Sequence, residues 1–199
     1  MSIGPIDIKL IFAIISTIVG ISGLLPYIRD ITLKKTRPHS FTWLIWAITQ
    51  GTATAALWYG KGGFGAIGLA LGTCASTLIL LLSLRYGEKN ITRSDIIFFT
   101  IAILAILIWW LMHNPLLSLI LVCFIDLIAF IPTFRKSYNN PWTETILAWE
   151  AGAISNIFAI LALNQYNVLT LTYIVVIFSS NIAFITFLLI RRRKIPRSV

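Results

Sequence analysis

The stretch LLPYIRDITLKKTRP, residues 24–38, ends a long apolar segment with a proline and then a cluster of basic residues. A second stretch, AFIPTFRKSYNNP at 129–141, repeats this order, and its Pro132 stands 106 positions after Pro26. In both places a short basic or polar loop, a second proline and an apolar segment that contains tryptophan come next. We therefore expect two related units in one chain.

The composition of the whole chain fits membrane-spanning helices. Of 199 residues, 58% are hydrophobic and 12% charged, and the mean hydropathy is +0.88; soluble domains carry roughly 25% charged residues. A spanning helix needs about 20 apolar residues, so seven of them leave about 59 residues for loops and tails. This excludes soluble enzymes and receptors with a large external domain. Apolar segments separated by polar breaks fall at 8–28, 41–59, 64–84, 96–112, 115–134, 143–163 and 168–190.

The basic residues predict the orientation of these seven spans. The formal net charge is +9, and fourteen of the sixteen Lys and Arg residues fall in alternate links and in the C-terminal tail. Only Lys9 and Lys61 are assigned to the opposite side. Because short loops rich in Lys and Arg stay cytoplasmic, we expect the N-terminus outside, the C-terminus inside, and the chain in the plasma (cytoplasmic) membrane.

The repeat predicts how the spans are organised. We expect an all-α integral membrane protein with seven transmembrane helices, in which two parallel three-helix repeats are joined by a linker helix, a 3+1+3 arrangement. The first repeat covers 1–86, the linker 87–114, and the second repeat with its basic tail 115–199. Trp46 and Trp149 are the tryptophans that we match between the repeats.

These motifs resemble a known family. The segment PYIRDITLKKTRPHSFTWLIW, followed by TAALWYG, resembles the PQ-loop pattern of a proline near a helix end, a basic loop and a serine, Ser40, opening the next helix. The 3+1+3 plan is similar to that of SWEET sugar transporters and of their amino-acid-carrying relatives of the cystinosin type. The glutamine that follows the proline in that pattern is absent, since Tyr27 and Thr133 take its place.

Three polar residues are predicted at the centre of the membrane. Asp126, Glu150 and Asn181 each lie nine or ten residues from a cytoplasmic marker, which is about 13–15 Å into a core of about 30 Å. Intramembrane ionisable groups default to functional hypotheses. If Asp126 and Glu150 approach one another, one of them can hold a proton and couple transport. The alternative is that both only fix helix packing.

The remaining candidates come from the outer half of the spans and from the resemblance. The resemblance implies that Thr54 and Trp58 line a solute pocket, and Asn156 adds a hydrogen-bonding amide; Trp58 as an interfacial anchor is the alternative. It also implies that Pro26 and Pro132 act as hinges. Asn181 and Glu150 complete the predicted substrate site, and Asp126 with Glu150 the proton-coupling site.

The leading hypothesis is therefore a transporter that moves a small polar solute, a sugar or similar metabolite, by alternating access through a site between the two repeats. The alternatives are a proton-coupled amino-acid transporter and a non-transporting heptahelical receptor or scaffold. We expect no enzymatic activity, no cofactor and no metal, because nucleotide loops, metal-ligand clusters and nucleophile triads are missing from the sequence. The expected partners are the solute and membrane lipid, with protons and a second copy of the chain as further candidates, and no nucleic acid.

Overall fold

The computed structural model describes residues 7–59, 64–111 and 115–196; Lys61 and the predicted linker boundary at 112–114 lie outside these ranges. The chain is all-helical, and no strand occurs within the ranges. The seven predicted segments are confirmed as helices: α1 (Ile8–Thr32), α2 (Ser40–Tyr59), α3 (Gly65–Tyr86), α4 (Arg93–Leu111), α5 (Pro115–Asn139), α6 (Ile146–Leu161) and α7 (Val168–Lys194). A 3-10 helix at Pro141–Thr143 precedes α6, which is why α6 begins three residues later than expected.

Three of the helical segments are long and apolar enough to cross a membrane by length and composition: Ile8–Thr32, Ala66–Tyr86 and Thr170–Lys194. The segment Ile146–Leu161 is apolar but shorter. A chain with these helices is compatible with membrane association.

Local sequence signals set several helix ends. The Asp7 side chain accepts a hydrogen bond from the backbone N–H of Lys9 at 2.9 Å and caps α1, and Asn167 forms a capping box with Thr170 at the start of α7. After α1 the chain turns through Lys34, which has φ 59°. Side-chain caps stabilise a helix by roughly 0.5–2 kcal/mol each.

The helices pair in a pattern that repeats. α1 packs on α6 as α2 packs on α5; α2 packs on α3 as α6 packs on α7; and α1 packs on α3 as α5 packs on α7. α4 packs mainly on α5. Two equivalent three-helix units that pack face to face would give this pattern, with α4 outside the repeat.

The crossing of α1 and α6 is the closest of these contacts. A Cβ atom added at Gly23 would overlap the side chain of Ala151 and lie 3.3 Å from the backbone of Ala148. Further along the crossing, the Ser16 hydroxyl donates to the Ser155 carbonyl oxygen at 2.9 Å, and Ser155 donates to the Ser16 carbonyl oxygen at the same distance. Small residues that allow such close approach are typical of packed membrane helices.

The equivalent crossing of α2 and α5 is also held by side-chain hydrogen bonds, from larger side chains. Thr42 donates to the carbonyl oxygen of Ala129 at 2.7 Å and accepts from Thr133 at 3.2 Å. The indole N–H of Trp46 donates to the carbonyl oxygen of Asp126 at 3.4 Å. The two crossings fix the relative positions of the helices around a central cavity.

The substitution Gly23→Ala should destabilise the protein by about 1–3 kcal/mol, because its methyl group overlaps α6 at a point where backbone stands behind it. Thermal unfolding of the purified protein measures this as a midpoint lower by several degrees. Gly20→Ala is the matched control on the same helix, since its Cβ would lie 3.4 Å from the Ser155 hydroxyl, an ordinary contact. Equal midpoints for the two variants would show that the crossing is not tightly packed.

Candidate functional site

A cavity of about 360 Å³ lies between α1, α2, α3, α6 and α7. Within the described part of the chain, no Asp, Glu, Lys, Arg or His side chain lines it. Its polar groups are hydroxyls and carboxamides, from Ser16, Thr17, Gln50, Ser76, Ser155, Asn156, Tyr173 and Asn181. The walls are otherwise apolar and aromatic, which is the usual make-up of a small-molecule site.

Among the described residues, the cavity groups without a hydrogen-bond partner include three carboxamides and the hydroxyl groups of Thr17 and Ser76. Gln50 on α2, Asn156 on α6 and Asn181 on α7 reach it from three helices. Among the residues that the structure describes, none of these three side chains has a hydrogen-bond partner. Each carboxamide carries two N–H donors and a carbonyl acceptor, so the three can bind both hydroxyl and carbonyl groups of a solute.

Glycines on neighbouring helices make room for these side chains. A Cβ added at Gly72 would lie 2.5 Å from Oε1 of Gln50, and one added at Gly152 would lie 3.2 Å from Nδ2 of Asn181. A larger residue at either position would push a carboxamide out of place. The glycines therefore position two of the three amides.

Aromatic side chains line the end of the cavity that lies nearest to Arg37 and Lys136, which we call its basic end. Trp43, Trp46 and Trp149 line it together with Tyr27 and Phe130. The Trp43 and Trp46 ring centroids are 5.0 Å apart, and those of Trp46 and Trp149 5.7 Å, both edge to face. Flat indole faces cover the apolar surface of a ring-shaped solute well.

Glu144 accepts hydrogen bonds from two of these aromatic side chains, which together we call the aromatic floor of the cavity. Its buried carboxylate accepts from the Tyr27 hydroxyl at 3.3 Å and from the Trp149 indole N–H at 3.2 Å. The other carboxylate oxygen pairs with Lys136, which is also buried and donates to the Arg37 carbonyl oxygen at 2.6 Å. The pair thus joins the end of α5 and the loop before α6 to the loop after α1.

A second ionic contact lies nearby, at the start of α4. Arg135 donates to both oxygens of the buried Asp95 carboxylate, at 3.0 and 2.5 Å. The imidazole of His39 lies 3.5 Å from the same carboxylate. Burial lowers the pKa of His39 and outweighs the opposing effect of Asp95, so the imidazole is neutral near pH 7.

Asp126 lies behind the cavity wall and is fully buried. One oxygen of its carboxyl group accepts from Thr49 on α2, and the other accepts from the Tyr173 hydroxyl on α7 at 2.6 Å. Tyr173 itself lines the cavity, and Asp126 does not. The Tyr173 side chain therefore links this carboxyl group to the cavity wall.

The structure brings only part of the predicted site together. Asn156 and Asn181 line the cavity as expected. Glu150 does not: it is half-buried and shares a face of α6 with Leu147 and Ile154, which are exposed. The condition that Asp126 and Glu150 approach one another is not met in this structure, since Thr49 and Tyr173 are the hydrogen-bond partners of the Asp126 carboxyl group. Glu150 follows Trp149, which lines the cavity, and successive residues of an α-helix are rotated by about 100°. The Glu150 side chain is therefore directed away from the cavity.

Thr54 and Trp58 also lie outside the cavity lining. The Thr54 hydroxyl donates to the Gln50 carbonyl oxygen at 2.7 Å and contacts the Thr73 hydroxyl at 3.1 Å, so it ties α2 to α3. Trp58 is 73% exposed on the outer surface. Its position corresponds to the interfacial anchor rather than to a pocket wall.

Pro26 and Pro132 lie inside α1 and α5, and both helices continue past them. Each proline removes one backbone hydrogen bond from its helix. Their role as hinges stays a prediction.

Gln50 and Glu144 are the site residues that the sequence reasoning missed. α2 begins at Ser40 and α6 at Ile146, which is again a spacing of 106. At this spacing Trp149 matches Trp43 rather than Trp46, and Asn156 matches Gln50. A constant spacing applied along both helices would have identified Gln50.

Comparisons with protein-family models, with curated proteins and with solved structures find no match to this chain. What can be said of its activity rests on the site itself.

Lys136→Met should destabilise the protein by about 3–5 kcal/mol, because it leaves the Glu144 carboxylate buried without a counter-charge. The double variant Lys136→Met, Glu144→Gln should lose much less than the two single variants together. Thermal or denaturant unfolding gives the coupling energy directly. Lys35→Met, at an exposed lysine, is the control; additive effects of the two single changes would show that the pair does not hold this end closed.

Proposed function

We propose that this chain is a seven-helix integral membrane transporter that binds a small, uncharged polar solute, a sugar or similar metabolite, in the central cavity and moves it by alternating access. The observation that carries the proposal is the set of three unpartnered carboxamides around a cavity without charged walls. Unpartnered polar groups among apolar helices cost free energy, and a bound solute would supply the missing hydrogen bonds.

The proposal places all seven helices across the plasma membrane. Three are long and apolar enough by themselves, and the distribution of basic residues supports an outside N-terminus and a cytoplasmic C-terminus. The paired helix contacts support two three-helix units with α4 as the linker. In these respects the protein is similar to the PQ-loop and SWEET-type carriers that the sequence motifs resemble.

The chemistry of the walls supports an uncharged solute. A zwitterionic amino acid or a phosphate ester needs a counter-charge when it leaves water, and the described cavity lining has none. Carboxamides and hydroxyls hydrogen-bond sugar hydroxyls, and the tryptophans cover the apolar faces of a ring.

Alternating access requires that one end closes while the other opens. The aromatic side chains and the Lys136–Glu144 pair lie at the end of the cavity that the proposed orientation assigns to the cytoplasm, which supports a state that is shut on that side. Opening that end requires α1 and α5 to bend or tilt, and Pro26 and Pro132 stand near the ends that would move.

Reconstituted liposomes should take up at least one member of a panel of uncharged sugars and polyols, and Asn181→Ala and Gln50→Ala should each weaken it. Loss of one neutral hydrogen bond costs about 0.5–1.5 kcal/mol, or roughly 2- to 13-fold in affinity. Trp58→Ala and Glu150→Gln are the controls, because both residues lie outside the cavity. Uptake that is absent throughout, or that falls only in the control variants, contradicts the proposal.

Proton coupling is the second candidate function, and the position of Asp126 favours it. This buried carboxyl group accepts a hydrogen bond from Tyr173, which lines the cavity. A proton that moves on or off Asp126 would therefore change the hydrogen bonding of a cavity wall.

Asp126→Asn keeps the size of the side chain and removes its titratable proton. In a coupled carrier it should abolish uptake driven by a pH gradient and leave solute exchange at equal pH largely intact. Flux assays with and without the gradient separate the two modes, with Glu150→Gln as a matched control on the outer face. If Asp126→Asn slows both modes equally, Asp126 fixes helix packing and the carrier is a uniporter.

A further inference from the structure

Part of the cavity extends between α1 and α3, away from the three carboxamides. Ile21, Cys74 and Leu78 line this part, and all three are also exposed on the outside of the protein, Ile21 by 43% and Leu78 by 41%. A residue that lines the cavity and is exposed on the outer surface lies at an opening. The cavity therefore reaches the outer, lipid-facing surface sideways, through an α1–α3 crevice.

The second unit provides an internal comparison. At the spacing of 106 residues, Leu127 matches Ile21 and Ser180 matches Cys74, and both line a groove between α5 and α7. That groove is separate from the cavity. Phe130 lines the groove on one side and the cavity on the other, so its ring forms the partition.

Phenylalanine side chains separate the α5–α7 groove from the cavity. In the first unit, leucines occupy the positions equivalent to two of them. Phe134 packs edge to face on Phe184 with ring centroids 4.8 Å apart, and the Phe130 and Phe184 centroids are 6.1 Å apart. The residues 106 positions earlier than Phe130 and Phe184 are Leu24 and Leu78. The α1–α3 crevice thus lacks the two aromatic rings that pack together at the equivalent place in the second unit.

We propose that the α1–α3 crevice holds the apolar part of an uncharged amphipathic solute whose polar part binds the three carboxamides. The crevice is continuous with the cavity, and Ile21, Leu24 and Leu78 give it an apolar lining. Gln50 meets α3 at Gly72, and Leu78 lies six residues further along that helix, about 9 Å away. A chain of a few carbons spans this distance. This inference rests on the proposed function and narrows its substrate class.

Cys74 provides a binding readout that does not depend on transport. It lies on α3 between Gly72 and Leu78 and lines the crevice, whereas Cys123, the other cysteine, is buried. The rate at which N-ethylmaleimide alkylates Cys74 in lipid nanodiscs, followed by mass spectrometry, should fall when a ligand fills the crevice. A Cys74→Ser variant measures the background from Cys123.

The probes are the methyl, butyl and hexyl members of two uncharged series, alkyl β-glucosides and N-alkylacetamides. Each methylene that enters the crevice should raise the apparent affinity roughly fourfold, until the chain reaches the outer opening. Leu24→Phe with Leu78→Phe should abolish this dependence on chain length and leave binding of the methyl compounds unchanged. Leu78→Phe alone is the second variant in case the double one does not fold, and Leu127→Phe, in the separate groove, is the matched control.

The outcomes separate the two proposals. Binding that is independent of chain length in the unmodified protein, as a crevice filled by bilayer lipid would give, overturns the inference and leaves the proposed function standing. A chain-length dependence that survives Leu24→Phe with Leu78→Phe also overturns it. Binding of the methyl compounds and of the unsubstituted sugars, which reach the carboxamides and not Cys74, is measured as a rise in the thermal unfolding midpoint. If none of them raises it and none of the uptake panel is transported, the proposed function fails and the inference falls with it.

Discussion

Burying a polar side chain among apolar helices costs several kcal/mol unless it is hydrogen-bonded, and this constraint accounts for most of the polar contacts between helices. Thr42, Thr49 and Ser16 each donate across a helix crossing. At the basic end, the Glu144 carboxylate accepts hydrogen bonds from the Lys136 ammonium group, the Tyr27 hydroxyl and the Trp149 indole N–H. The polar side chains on the inner faces thus act as links that set helix positions, and the hydrophobic effect alone would not select these partners.

The three cavity carboxamides differ from these polar groups because they have no hydrogen-bond partner among the described residues. Gln50 and Asn181 are not left over from a missing contact, because Gly72 and Gly152 give each of them its place on a neighbouring helix. Exchanging either amide for an apolar residue would relieve the cost of an unpartnered group without disturbing a link between helices. No contact between the described helices accounts for these two amides, and it is on them that the proposal of a solute site rests.

The sequence predicts depth along a helix better than rotation about it. Composition and breaks located all seven helices, since length and apolarity depend on position along the chain alone. Counting residues from Arg191 also placed Asn181 correctly at the cavity. Glu150 was assigned to the site by the same counting and Trp58 by the resemblance, yet both lie outside the cavity lining, because rotation is decided by packing against helices distant in sequence. Glu144 escaped notice because the 3-10 turn that brings it under the cavity floor has no sequence period.

The two units are related by a constant spacing, and the functional asymmetry comes from the positions that break the match. Asp126 and Thr49 form a hydrogen bond where α5 crosses α2. The residues equivalent to them are Gly20 and Ser155, which meet where α1 crosses α6, with the Ser155 hydroxyl 3.4 Å from the position of a Cβ on Gly20. The Asp126 carboxyl group fills the space where α5 crosses α2. Gly20 has no side chain at the equivalent point, so space remains where α1 crosses α6. The cavity lies on the Gly20 side, so the Asp126 carboxyl group and the cavity occupy equivalent places in opposite units, and Tyr173 contacts both.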